Sequence, residues 1–380
     1  MNRFSRFVLS LLVIIAPALS HAASKAPQRF EVTGYVFARE AVLAPGAVDP
    51  KKLTRINYAF ANIQNGRMVL GAPADAQNFA MLTAMRNANS GLTVLVSVGG
   101  WLWSTIFSDM ALTAESRRTF DDSVMRFLTQ YDLDGLDIDW EFPGMPGAGH
   151  PFRAEDKQNF TLLVKELREL FDAETLKTGH RLYLTVAMGA SDDVIAHTEM
   201  RKVQRYVDTV NLMSYDYYEP GSESITGNHA PLFTDPADPR AVSADQSIRA
   251  FEKAGVPAAK ILLGVPFYGH EWGDVPDQNH GLFQPGKAIP GAYVPFSTID
   301  GQIGPGFTRY WDTAASVPYL YNAEKKTFVS YEDPESLKAK CKYVRDHKLG
   351  GIMFWEYSSD ASGKLLTTID SELGIDGATR

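Results

Sequence analysis

The sequence predicts an α/β fold: a (β/α)8 barrel carrying a small α+β insertion between its seventh and eighth strands. Three observations predict it. Short runs rich in β-branched and aromatic residues recur eight times between residues 30 and 354. Amphipathic stretches separate most of them, the alternation that builds a parallel sheet, and eight strands close such a sheet into a barrel. The gap before the last run is far too long for one crossover helix, and residues 269–330 are rich in Gly, Pro and aromatic residues.

Taken in order, the strands are expected at 30–35, 55–62, 93–99, 135–140, 182–187, 209–214, 261–266 and 351–354. Helical spacing of apolar residues marks 76–87, 114–131, 154–172, 198–206, 243–254 and 334–347, whereas the first crossover is poorly marked. Within the insertion, 294–296, 319–321 and 327–330 read as strands, mounted on the C-terminal side of the barrel where active-site loops belong. No internal repeat or low-complexity linker interrupts the chain.

Upstream of the barrel, Arg3 and Arg6 precede an apolar run at 7–19 and the small-residue pattern Ser20-His21-Ala22. This is a basic n-region, an h-region and a cleavage site, so residues 1–22 read as a secretory signal removed near Ala22. The run is too short for a comfortable membrane span, and the alternative is an uncleaved interfacial anchor. The mature chain is expected to be exported and soluble, with a catalytic domain over 28–370 and the insertion at 269–330 inside it. A net charge of −8 argues against nucleic acid or an anionic membrane as partner. Cys341, the only cysteine, excludes an intramolecular disulfide and a cysteine metal site; it is expected as a buried apolar residue of a helix. The 43 aromatic residues (21 Phe, 16 Tyr, 6 Trp) suit a sugar-binding enzyme and any large core equally.

The fourth strand carries the chemistry. Residues 134–141 read Asp-Gly-Leu-Asp-Ile-Asp-Trp-Glu. Successive side chains on a strand point to opposite faces, so Leu136, Ile138 and Trp140 pack outward while Asp137, Asp139 and Glu141 line the other face. Such a row is costly unless the acids share protons, are hydrogen-bonded or hold a metal. Glu141 lies just past the strand's C-terminal end, where barrels gather their chemistry, with Asp139 and Asp137 progressively deeper. Asp134 has the wrong parity and is expected to satisfy hydrogen bonds at the strand's start.

Four ordered motifs on the expected strands resemble those of a glycoside hydrolase family 18 chitinase over about 28–370: the 134–141 segment, Ser97-Val-Gly99-Gly100-Trp101, Met213-Ser-Tyr215-Asp216-Tyr217 and Gly350-Gly-Ile-Met-Phe-Trp355-Glu-Tyr. Arg309-Tyr-Trp-Asp312 and Val317-Pro-Tyr-Leu-Tyr321-Asn resemble the insertion of the larger bacterial-type members. One departure stands out: Tyr268-Gly269-His270 replaces the usual Tyr-Gly-Arg.

The resemblance implies hydrolysis of β-1,4 links between N-acetylglucosamine (GlcNAc) units. Ordinary glycosidases flank the bond with two carboxyl groups roughly 5–9 Å apart. Same-face neighbours on one strand point the same way and do not fit that plan. The substrate-assisted route implied instead uses the sugar's own 2-acetamido oxygen as nucleophile, through an oxazolinium intermediate. Glu141 is then general acid and later base, and it must hold a proton near neutral pH. Asp139 shares protons with Asp137 and orients the acetamido group; Tyr215 has inward parity and is suited to hydrogen-bond it. Asp216 has the opposite parity and enters the site only through the resemblance.

Trp355, sharing a face with Met353, is expected as the floor stacking on the sugar ring, with a core Trp capping the barrel as the alternative. Trp101 is expected as a sugar platform beyond Gly99 and Gly100, whose missing side chains open space over the pocket. Tyr35, Phe60, Phe142, Met213 and Tyr268 complete the expected cleft lining. Tyr183 and Phe160 are expected in the core, His150 and His270 as satisfied polar residues, and 221–231 as support for the rim.

Three other readings compete: a divalent-metal hydrolase built on Asp137, Asp139 and Glu141, a non-catalytic carbohydrate-binding protein, and an endoglycosidase cutting the GlcNAc–GlcNAc core of N-glycans. The preferred reading needs no metal or cofactor, takes chitin or GlcNAc oligosaccharides as partner, and expects a monomer.

Overall fold

A computed structural model describes residues 29–374. The expected signal segment lies outside the described residues. Fourteen strands are seen among them: β1 (Glu31–Phe37), β2 (Arg55–Gln64), β3 (Arg67–Val69), β4 (Thr93–Gly99), β5 (Gly135–Asp139), β6 (Tyr183–Gly189), β7 (Thr209–Met213), β8 (Ile261–Pro266), β9 (Tyr268–Gly273), β10 (Lys287–Pro295), β11 (Thr308–Asp312), β12 (Val317–Asn322), β13 (Thr327–Ser330) and β14 (Gly351–Trp355).

Parallel pairing runs β1-β14-β8-β7-β6-β5-β4-β2, and β1 pairs β2, which closes an eight-stranded barrel. β3 only extends β2 as an antiparallel hairpin. Outward-facing residues such as Val94, Leu136, Ile138 and Val186 are fully buried against the helices. Trp140 stacks on Phe107 at 5.2 Å and meets Phe160 edge-on, so both sit in the outer core. Tyr183 differs from its expected core position: it is half-buried at the start of β6, with Arg55 and Arg181 over its ring. The barrel's interior apolar contacts are few, a small cluster of Tyr35, Leu262 and Met353 beneath the mouth. Polar side chains fill much of the rest, including fully buried Ser97, Asp137, Thr185 and Asn211.

The helices start where their caps dictate. Thr113 and Ser116 form a capping box for Ala114–Gln130, Ser243 caps Ala244–Lys253, and Asp333 with Pro334 opens Pro334–Asp346. Helix Asp156–Thr178 runs six residues past its expected end at 172, until Gly179 adopts a left-handed φ of 76°. The stretch at 198–206 shrinks to Met200–Val203, and the poorly marked first crossover holds only a 3-10 turn, Pro50–Lys52. A closing helix, Lys364–Leu373, follows β14 and was not foreseen. Cys341 is fully buried, and that burial pushes its thiol up to about 12.

Between β8 and β14 the chain forms a second, antiparallel sheet, β10-β9-β13-β12-β11, with its own core around Trp272, Tyr319 and Phe328. It has five strands where three were expected. β9 continues from β8 after one residue, Phe267, and β11 carries the charged and aromatic run at Thr308–Asp312. Phe296, expected in a strand, instead opens helix Phe296–Gln302.

Candidate active site

At the C-terminal mouth of the barrel lies a cavity of about 790 Å³. β5 delivers the acids. Asp139 and Glu141 line the cavity, while Asp137 lies one step deeper and is not on its wall. Four donors surround Asp137: Tyr35 Oη and Ser97 Oγ at 2.8 Å, Thr185 Oγ1 at 2.5 Å and Asn211 Nδ2 at 3.1 Å. Burial pushes its carboxyl up, and the hydrogen bonds from Thr185, Ser97 and Tyr35 pull it partly back. Asp139 differs, since its Oδ1 is buried and has no hydrogen-bond partner among the described residues. Burial, then the charges of Glu141 and Asp137, hold its carboxyl well above the carboxylate range. Glu141 is pushed up to about 8 by burial, by Asp216 and by Glu219. Its backbone N–H donates to Ser104 Oγ at 3.0 Å, which also fixes the exit from β5.

Asp216 lies three residues beyond the end of β7 and has a left-handed φ of 58°. That backbone conformation breaks the strand's alternation, which is why parity alone points Asp216 away from a pocket that it in fact lines. It accepts from Tyr268 Oη at 2.6 and 2.7 Å and from His270 Nε2 at 2.8 Å, with His229 Nδ1 at 3.4 Å. Burial pushes Asp216 up, but these two histidines outweigh it and hold the carboxyl below its usual range. His229 is fully buried, and desolvation lowers it to about 4. Tyr215 lines the same wall and stays a protonated donor, its pKa raised by burial and then by Asp216, Asp139 and Glu141.

The aromatic wall is broader than the sequence suggested. Tyr35, Phe60, Phe142, Met213, Tyr268 and Trp355 all reach the cavity. Trp355 stacks on Phe60 at 5.5 Å and 22°, with Phe37 at 5.6 Å beyond it. Trp101 stands at the rim, 50% exposed and edge-on to Phe142 at 6.4 Å. Gly99 and Gly100 are not on the wall. A Cβ at Gly99 would lie 2.1 Å from Asp139 O, and one at Gly100 would lie 2.7 Å from the Phe60 ring. Their φ values of 109° and 86° favour glycine, so they let β4 close on β5 and leave Phe60 its place.

Several lining residues were not foreseen: Phe37, Trp103, Glu219, Arg240, Tyr293 and His270. Parity was the available signal for two of them, since Phe37 shares a face of β1 with Tyr35 and His270 shares a face of β9 with Tyr268, whereas Trp103 lies in a turn where alternation gives none. His270, expected as a satisfied polar residue, is satisfied by Asp216 and yet faces the cavity. Tyr293 from β10 stacks on Tyr268 at 4.3 Å, so the second sheet supplies part of the wall. His150 instead links the Trp101 carbonyl, at 2.6 Å, to Thr105. Asp134 Oδ2 accepts from Val94 N at 2.7 Å and pairs with Arg86 at the other end of β5. In the 221–231 loop, Thr226 Oγ1 donates to the Gly281 carbonyl at 2.5 Å and ties the loop to the insertion.

A closed parallel barrel with perturbed carboxyl groups and stacked aromatics at its C-terminal mouth defines the class of barrel glycoside hydrolases. The chain belongs to the glycosyl hydrolases family 18, whose description matches residues 31–360. It is 35% identical to Chitinase A1 of Niallia circulans over 97% of its length, and it spans 62% of that relative. Among solved structures it is similar to a family 18 N-acetylglucosaminidase from Paenibacillus barengoltzii, with 40% identity and a TM-score of 0.83 over 90% of this chain and 100% of that one. A class V chitinase mutant from Nicotiana tobaccum, solved in complex with NAG4, matches at 28% identity and a TM-score of 0.83, covering 92% of this chain and 100% of that one. No helix among the described residues is long and apolar enough to cross a membrane.

Proposed function

We infer that this protein is a secreted chitinase that hydrolyses β-1,4 links between GlcNAc units with retention, using the substrate's acetamido oxygen as nucleophile. The observation that carries this reading is the contrast between the two ionisable groups beside Glu141. Asp216 is tied down by Tyr268, His270 and His229, so its lone pairs are committed and it is a poor nucleophile. Asp139 has an oxygen free of any partner among the described residues. A buried, unpaired carboxyl oxygen is costly, and an acetamido N–H is the donor that would satisfy it.

In this reading Glu141, protonated at neutral pH, gives its proton to the glycosidic oxygen. The acetamido oxygen closes on the anomeric carbon as that bond breaks. Asp139 accepts from the acetamido nitrogen, Tyr215 donates to the acetamido oxygen, and the Asp137 network keeps the Asp139 side pre-organised. Water then opens the oxazolinium ring, with Glu141 taking a proton from it. Trp355 is the floor beneath the reacting sugar, and Trp101 and Trp103 extend an aromatic path toward the rim. Residues 269–330 act as an insertion that builds one wall, and residues 1–22 act as an export leader. The similarity to Chitinase A1 and to a plant chitinase solved with NAG4 supports a chitin-type substrate.

The testing experiment is product analysis on GlcNAc oligomers of defined length, with the anomer of the first product read by NMR. Cleavage between GlcNAc units giving the β-anomer supports the reading. No turnover, or an α-anomer product, overturns it.

A further inference from the structure

Asp216, His229 and His270 present one carboxylate oxygen and two imidazole nitrogens that all lie within 4.8 Å of one another. His270 Nε2 and His229 Nδ1 lie 2.8 and 3.4 Å from Asp216 Oδ1. Bonds from Zn2+ to nitrogen and carboxylate oxygen are about 2.0–2.2 Å, which puts ligand atoms on a tetrahedral ion roughly 3.3 Å apart. The two Asp216–histidine separations bracket that value, and the widest gap among the three donors has to close by at most about 1.5 Å for them to converge on one ion. They are also held for it. His229 is fully buried and His270 nearly so, their rings 4.9 Å apart at 74°. Tyr268 donates to both oxygens of Asp216, so it can keep one while the other turns to a metal. Asp216 and His270 line the cavity, which leaves a fourth position for water or a substrate oxygen.

Two nitrogens and one oxygen select a borderline cation over Mg2+ or Ca2+, which prefer an all-oxygen shell. We propose that Asp216, His229 and His270 form a binding site for Zn2+ or a similar transition cation, and that its occupancy inhibits hydrolysis. The site is separate from the Asp137–Asp139–Glu141 row. The inhibitory half rests on the proposed hydrolytic reading: a dication in this wall opposes the positive charge that builds on the oxazolinium and takes the Asp216 charge away from it.

The test begins with protein dialysed against a chelator and titrated calorimetrically with ZnCl2, without substrate. Wild type is expected to take one equivalent of metal at this site. The single variants His229→Asn and His270→Gln are each expected to bind at least tenfold more weakly. His280→Gln, which alters the exposed His280–Asp277 pair elsewhere, is expected to bind like wild type. Co2+ in place of Zn2+ is expected to give tetrahedral visible bands in wild type that both site variants lose. Thermal melts report whether each variant folds, and either one alone reads the site if the other does not. Failure of wild type to bind, or unchanged binding in a folded site variant, overturns the site whatever the enzyme's substrate. Binding without loss of GlcNAc-oligomer hydrolysis overturns the inhibitory half.

Discussion

The Nε2 atom of His270 lies 2.8 Å from Oδ1 of Asp216, in a cavity whose other central acids are pushed toward their neutral forms. Against the effect of burial, His229 and His270 together keep Asp216 charged. After burial, that charge is the next largest influence raising Glu141 to about 8. One anion thus helps hold a proton on its neighbour.

The pH profile follows from this arrangement. Glu141 must be protonated to act, so kcat/KM is expected to fall as pH rises through about 8. Asp216→Asn removes the anion that disfavours Glu141's own ionisation, so the alkaline limb is expected to move to lower pH. A limb that stays in place or moves up in the folded variant assigns it to another group.

Glu141→Gln keeps the side chain's shape and removes its transferable proton. Turnover is expected to fall by about 10²–10⁴ or more, with oligosaccharide binding largely retained. Near-wild-type hydrolysis would remove Glu141 from the acid role.

Asp139→Asn is expected to cut turnover strongly and to stabilise the fold at neutral and higher pH. The sign follows from its raised folded-state pKa: a carboxyl of this kind favours the folded state fully below its unfolded pKa, and the advantage is lost as pH rises toward the folded value. Wild type thus loses up to about 1.4 kcal/mol per pH unit across that window, a loss that Asn does not share. The Tm difference between variant and wild type should grow with pH above the ordinary Asp range. A pH-independent difference contradicts the assignment of a raised pKa.

Trp355→Ala opens the floor without touching the outer core, since the indole faces Phe60 and the cavity. Oligomer binding is expected to weaken by about 1–3 kcal/mol, by analogy with bases stacked on aromatic side chains. Unfolding of this variant would restore the core-cap reading.

The barrel was legible because strand alternation and eightfold recurrence survive in the sequence, and the acids of β5 were legible because Leu136, Ile138 and Trp140 face the opposite way. What alternation could not give was anything beyond the end of a strand. Asp216 sits at a left-handed residue beyond β7, and His229 enters from a loop and meets Asp216 and His270 only in three dimensions. β9 was hidden because Ile261–Pro266 and Tyr268–Gly273 are separated by Phe267 alone. Gly99 and Gly100 were read as open space over the pocket, whereas their work is backbone approach: Gly100 N donates to Asp139 O at 2.7 Å.

The central claim is that the substrate supplies the nucleophile, and the most direct measurement compares kcat/KM for a GlcNAc tetramer with that for its cello counterpart. The two differ mainly in the 2-acetamido group. The account predicts hydrolysis of the first and none of the second, even where the second binds, because Asp216 is tied to Tyr268 and His270 and Asp139 points the same way as Glu141. Appreciable hydrolysis of the cello-oligomer would contradict it and return the reaction to a two-carboxylate mechanism.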